Sequence, residues 1–220
     1  MTHDIAFLFD LDGVLIDSER RYTRIWQGID DEFHSGVADL PRVIKGMTLQ
    51  NILAEYFPDP EVSKQVEERL LAGEKQMEYA YMPGAERLLT RLKEMGVPMA
   101  LVTSSDEVKM ASLRKKMPGI LSWFDAVVDG DMVTHGKPDP EPYLTGARLL
   151  GVDPRSCVVV EDALTGIEAG HRAGAYVVGM TDTLGREVIE PRVDVAYDSL
   201  EDIDLQSIIN KVKGAGHEQH

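Results

Sequence analysis

Cys157 is the single cysteine among 220 residues, so no disulfide can close within the chain, and the sequence suits a reducing compartment. It precedes Val158-Val159-Val160 and therefore reads as a buried structural thiol, not a reactive one. No apolar stretch reaches the roughly 18 residues that a membrane-crossing helix needs. The start, Met1-Thr2-His3-Asp4, has no signal-peptide pattern, and a cytoplasmic protein is the expectation. Basic side chains are scarce: 23 Lys and Arg against 38 Asp and Glu give 23 − 38 = −15. With no basic stripe interleaved with aromatics, that balance argues against nucleic acid or an anionic membrane surface as partner. It also means that an anionic substrate would need a local group of cations, preferably including a metal. Internal repeats and low-complexity segments are missing too.

What remains is an ordinary globular composition, 43% apolar and 28% charged, long enough for one sizeable domain, or for one core with a smaller inserted unit. Five short apolar runs read as strands buried on both faces: Ile5–Phe9, Pro98–Val102, Ala126–Val128, Cys157–Val160 and Tyr176–Met180. Helical spacing fills the intervals. Leu88, Leu89, Leu92 and Met95 form one stripe ending at Gly96, and Leu144, Ala147 and Leu150 form another ending at Gly151. The expectation is an α/β fold, a doubly wound parallel sheet joined by right-handed crossovers. Between Asp17 and Met82 the rhythm changes to helix-like stretches carrying Trp26, Ile29, Phe33, Ile44, Ile52, Leu53, Tyr56 and Phe57. Residues 1–16 and 83–220 are expected to form the core, and 17–82 an inserted α-helical cap. Such a cap over the strand ends would exclude water and recognise substrate.

The first strand ends on Asp10-Leu11-Asp12-Gly13. Ligands of open α/β sheets bind outside the carboxyl ends of the strands, so two carboxylates here can converge on one pocket. One could act as nucleophile and the other move a proton, or the pair could hold a hard cation. Asp-x-Asp-Gly also occurs in plain turns and in calcium loops. The calcium pattern fails: the twelfth position is Arg21 and the third ligand pair is missing. Three further groups fall at strand ends or before a helix. They are the hydroxyls Thr103-Ser104-Ser105, the lone cation in Gly136-Lys137-Pro138-Asp139-Pro140, and the acid pair Glu161-Asp162 followed by Gly166. Taken singly, each also reads as helix capping or a solvated charge.

In this order, the four groups resemble the motifs of the haloacid dehalogenase-like superfamily of aspartyl phosphotransferases. More narrowly, the chain looks like the β-phosphoglucomutase-like branch, with a Rossmann-like core and a helical cap after the first motif. The resemblance implies that Asp10 attacks phosphorus and that Asp12 protonates the leaving alcohol, then activates water. Thr103 and the amides around Ser104, with Ser105, would bind phosphoryl oxygens, and Lys137 would neutralise charge. Mg²⁺ would be held by the Asp10 carboxylate, the Asp12 carbonyl oxygen and Asp162, with Glu161 bound directly or one shell out. Asp12 is absent from ordinary dehalogenases of the superfamily and points to phosphoryl chemistry.

Cap residues separate the outcomes within that branch. Its sugar-phosphate mutases carry a His where this chain has Tyr22, an Arg where Leu49 follows Lys45-Gly46-Met47-Thr48, and Lys-Asn where Asp106-Glu107 follow Ser105. The resemblance therefore favours a Mg²⁺-dependent phosphatase of a small phosphorylated metabolite, such as a sugar phosphate, working through an aspartyl-phosphate. A β-phosphoglucomutase-type mutase and an inorganic pyrophosphatase are the alternatives, and a catalytically inactive binding module is the contrasting class. Lys45 is the cap residue expected to reach substrate, its alternative being a solvated lysine. The expected partner is the small phosphorylated metabolite alone, bound by a monomer.

Overall fold

Alternation along the first strand sets the layers. In this computed structural model, which describes residues 4–44, 47, 49–76 and 78–215, β1 (Ala6–Phe9) turns Ala6 and Leu8 to one face and Phe7 and Phe9 to the other. All four are buried, as a strand covered on both faces requires. After β1 the chain makes α1 (Glu19–Phe33), α2 (Leu40–Val43), α3 (Leu49–Tyr56) and α4 (Pro60–Gln76). It returns through α5 (Ala85–Glu94), β2 (Met99–Val102), α6 (Glu107–Lys116), β3 (Ala126–Val128), α7 (Glu141–Leu150) and β4 (Cys157–Glu161). The last elements are α8 (Leu164–Arg172), β5 (Tyr176–Met180), α9 (Arg186–Ile189), β6 (Val195–Tyr197) and α10 (Leu205–Ala215).

All strand pairs are parallel, in the order β3-β2-β1-β4-β5-β6. The chain steps outward from β1 to β3 and then crosses to β4 on the other side. β1 and β4 therefore flank the point where the winding reverses, the place at which doubly wound sheets bind ligands. One sheet face packs Phe7, Phe9, Leu101, Val158 and Val160 with Leu88, Leu89 and Leu92 of α5, Met110 of α6 and Ile208 of α10. The other packs Leu8, Val102, Val159 and Val177 with Tyr143 and Ala147 of α7 and Ile167 of α8.

Two compact units divide the chain: Met1–Asp17 with Tyr79–His220, which holds the sheet, and Ser18–Glu78, which is helical. The helical unit has its own core of Trp26, Ile29, Leu40, Ile44, Ile52, Phe57, Val66 and Leu70.

The sheet has a strand more than the five expected runs. Val195–Tyr197 is three residues long and bounded by Asp194 and Asp198, so its apolar run is too short to stand out. Its pairing to β5 is extended by Asp194, whose carboxylate accepts from the Val177 amide at 2.7 Å. The α7 stripe is also corrected. Leu144 is 39% exposed, and the buried positions are Pro142, Tyr143, Gly146 and Ala147. Gly146 lies against Val102, where an added Cβ would stand 3.0 Å from Cγ2, so small residues bring α7 close to the sheet. Met95, counted into the α5 stripe, is exposed as well.

Candidate active site

Asp10 continues the β1 ladder by one residue: its amide donates to the Val160 carbonyl at 3.1 Å. This fixes the first acid beside the end of β4, where the second acid pair lies. Along β4, Cys157, Val159 and Glu161 share the face covered by α7 and α8, because strand side chains alternate. The Glu161 carboxylate is thereby buried, 1% exposed, between those helices. Gly166 of α8 makes this possible, since a Cβ there would overlap the carboxylate. Gly13, at φ 77°, does the same for Asp162, whose carboxylate occupies the place of a Cβ.

Lys137 ties the pieces together. Its Nζ donates to Asp10 Oδ1 at 2.6 Å, Glu161 Oε1 at 2.7 Å and the Val102 carbonyl at 3.1 Å. It is 5% exposed and Asp10 13%, so this ion pair lies in a low-dielectric setting. Glu161 is held at both oxygens. Oε1 also accepts from the Tyr143 hydroxyl at 2.8 Å, and Oε2 accepts from the amides of Asp162 and Ala163, each at 3.0 Å. The Lys137 ammonium also stands 4.8 Å from the centre of the Tyr143 ring, within cation–π range. Asp162 accepts from the Thr183 hydroxyl.

On the β2 side, Thr103 is buried and its Oγ1 accepts from the Ser105 amide at 3.1 Å. The Ser105 hydroxyl reaches Asp12 Oδ2 at 3.3 Å, and Lys109 Nζ donates to the same oxygen at 2.7 Å. Ser104 is exposed. Asp10, Asp12, Thr103, Ser105, Lys137, Glu161 and Asp162 thus share one end of the sheet. Lys45 lies outside the described residues.

Carboxylate oxygens of Asp10, Glu161 and Asp162 lie within 4.8 Å of one another, a spacing able to hold a metal ion. Asp12 is outside that trio, its carboxylate engaged by Lys109 and Ser105. Fully ionised, four carboxylates and the ammonium groups of Lys109 and Lys137 sum to −4 + 2 = −2, a deficit that a divalent cation balances. Burial pushes the Asp10 carboxyl up to about 7, Lys137 pulling against that rise while Glu161 and Asp12 add to it. Burial disfavours the Lys137 ammonium, but Asp10 and Glu161 outweigh it and raise the group well above the ordinary lysine range.

Sequence reading missed Tyr143, Thr183 and Lys109. Tyr143 and Thr183 are ordinary in composition and gain their roles only when α7 and the loop after β5 fold against β4. Lys109 did carry a signal, a first-turn lysine three residues after the capping Asp106. The buried Cys157 thiol, pushed up to about 12 by burial and then by Asp153, matches its structural reading.

A doubly wound sheet with an acidic, lysine-bridged cluster at its winding reversal is the architecture of an α/β enzyme. A family model for haloacid dehalogenase-like hydrolases matches residues 6–174, and the chain belongs to that family of enzymes. It is similar to hexitol phosphatase A from Escherichia coli (strain K12), 34% identical over 211 residues that cover 90% of this chain and 92% of that protein. It is also similar to a beta-phosphoglucomutase from Bacillus subtilis (strain 168), 31% identical over 80% of this chain and 82% of that one. A solved HAD family hydrolase from Deinococcus radiodurans R1, with bound phosphate and sodium, superposes with a TM-score of 0.77 at 27% identity, covering 94% and 95% of the two chains. Among the described residues, no helix is long and apolar enough to cross a membrane.

Proposed function

We propose that the protein is a Mg²⁺-dependent phosphatase of small phosphorylated metabolites, sugar or sugar-alcohol phosphates foremost, acting through an aspartyl-phosphate on Asp10. The observation that carries this reading is the pair of strand-end aspartates, each bonded to its own lysine, with Asp10 also part of a three-carboxylate cluster. Likeness to a hexitol phosphatase supports the substrate class.

Asp10 and Asp162, with the Asp12 carbonyl, would hold the ion. Glu161, whose two oxygens already take four donors, would steer Asp10, Lys137 and the amides that follow it. Bound there, Mg²⁺ supplies positive charge that lets a carboxylate and a phosphate dianion approach. Lys137 adds its charge at the same oxygens. Thr103 and the amides of Ser104 and Ser105 would bind and align the phosphoryl group, since phosphoryl transfer depends mainly on positioning and electrostatics.

In the first step an Asp10 oxygen forms a bond to phosphorus as the ester P–O bond breaks, and the departing alkoxide takes the proton of Asp12. In the second, water attacks phosphorus and gives a proton to the Asp12 carboxylate. The bond to Asp10 breaks, inorganic phosphate leaves, and both aspartates return to their starting states. The helical unit, as a cap, would supply recognition through Lys45. Tyr22 has its hydroxyl on Glu74 at 2.9 Å, a contact within that unit, and so provides no imidazole of the mutase kind.

The test is phosphate release from hexose and hexitol phosphates, other phosphomonoesters and pyrophosphate, with Mg²⁺, beside Asp10→Asn. Release from a sugar or sugar-alcohol phosphate, lost by about 10³-fold or more in the variant and removed by EDTA, is the expected outcome. Isomerisation of β-glucose 1-phosphate without net release would replace the phosphatase with a mutase. An Asp10→Asn variant of full activity would overturn the covalent mechanism.

A further inference from the structure

Lys109 stands in the wrong place for a helix lysine. It is the third residue of α6, in the first turn, where the positive end of the helix dipole disfavours a cation. The other basic residues of α6, Arg114, Lys115 and Lys116, sit in the last turn, where the dipole favours them. Its side chain is also 27% exposed, an expensive setting for an ammonium. Local preference broken on both counts marks a residue held for its partner.

That partner is Asp12. Lys109 Nζ and Ser105 Oγ converge on Asp12 Oδ2, at 2.7 and 3.3 Å. Both donors stand on fixed backbone. The Lys109 amide donates to the capping carboxylate of Asp106 at 2.9 Å, and the next residue, Met110, is buried in the core. The Ser105 amide is tied to Thr103 at 3.1 Å, and the Ser105 carbonyl accepts from Gly130 at 2.8 Å. Asp12 follows a buried Leu11 and precedes the tight turn at Gly13. Asp10, two residues away, sets a like charge against the Asp12 carboxylate, which these two donors oppose.

We propose that Lys109 is a positioning residue for Asp12: from the first turn of α6 it holds that carboxylate at the sheet end in the orientation needed for proton transfer. The two lysines divide the work, Lys137 fixing Asp10 and Lys109 fixing Asp12. Lys109 acts through Asp12 and not on the phosphoryl group. This rests on the proposed phosphatase activity, and one set of assays separates the two.

The experiment is a double-mutant cycle in the full chain: wild type, Lys109→Met, Asp12→Asn and the double variant. Each is assayed with Mg²⁺ on glucose 6-phosphate or on whichever phosphomonoester the wild type hydrolyses fastest. Lys109→Met should lower kcat by about 10- to 100-fold, part of the ~10²–10⁴ that acid–base transfer supplies, with KM changed less than about twofold. In the Asp12→Asn background the same change should cost less than about twofold, because effects of residues acting as a unit do not add. Lys109→Arg should recover part of the loss, which a merely structural role would not predict at unchanged thermal stability. If the Met variant does not fold, Lys109→Gln takes its place in the cycle. Equal losses in both backgrounds, or a rise in KM alone, would overturn the positioning role while leaving the phosphatase reading intact. No turnover by the wild type would remove that reading, and this inference with it.

Discussion

Tyr143 and Glu161 meet at 2.8 Å, the phenol of α7 donating to the carboxylate oxygen that also accepts from Lys137. The hydroxyl is fully buried, and burial, with Glu161 next, holds it well above the ordinary tyrosine range, so it stays a donor. Tyr143→Phe keeps the ring and removes the hydroxyl, and this bond with it. A hydrogen bond to a charged group contributes about 1.5–3 kcal/mol, so the variant should lose several degrees of Tm. Calorimetry checks it, and an unchanged Tm would show that Glu161 does not depend on the phenol.

Gly166→Ala puts a methyl where the Glu161 carboxylate lies. The neighbour is a buried carboxylate with four donors and cannot swing aside cheaply. Overpacking of this kind costs about 1–3 kcal/mol, and displacement of Glu161 should also weaken Mg²⁺ binding. Denaturant unfolding with and without Mg²⁺ measures both. A variant with wild-type stability and metal response would contradict the packing described.

Thermal stability should show a proton–metal competition at Asp10. An unfolded aspartate ionises near 3.8, whereas in the fold Asp10 keeps its proton until about 7. Between those values the folded state binds more protons, so the Asp10 contribution makes metal-free stability fall as pH rises from about 4 to about 7 and level off above. Mg²⁺ competes with that proton, and the Tm it adds should therefore grow between pH 5.5 and 8. Asp10→Asn should flatten the trend. Tm scans in EDTA and in Mg²⁺ decide it, and a metal-induced gain independent of pH would be the contrary result.

Cys157 should resist alkylation in the native protein at pH 8, because it is fully buried and its thiol is pushed up to about 12. Iodoacetamide should label it only after unfolding. Prompt native-state labelling, read by mass spectrometry, would mean that β4 opens locally.

Much of this architecture is written locally, and some of it is not. Five strands announce themselves as apolar runs, and the acids, hydroxyls and Lys137 follow strand ends or precede a helix within a few residues. Val195–Tyr197 does not, since an edge strand of three residues between two aspartates borrows its order from β5. Counting leucines misplaced the α7 stripe because the close approach at Gly146 favours small residues over large ones. Tyr143 lies 18 residues from Glu161 and Lys109 lies 97 from Asp12, so only the folded sheet end brings them together. The charge deficit of the site is likewise a sum over distant residues and cannot be read from any one motif.

The place of β1 at the winding reversal has a kinetic cost during synthesis. Its partners come late: Phe7 pairs with Met99, 99 − 7 = 92 residues on, and Ala6 with Cys157, 157 − 6 = 151 residues on. At translation rates of about 5–20 residues per second, β1 waits roughly 8–30 s for its second neighbour to be made. Meanwhile Ala-Phe-Leu-Phe is an apolar strand with open edges, the kind of segment that aggregates. The contiguous helical unit, Ser18–Glu78, needs no such wait for its own core. Yield of native protein should therefore depend on how well β1 is shielded until β4 emerges, so chaperone supply matters more here than in a fold whose first strand pairs with its neighbour.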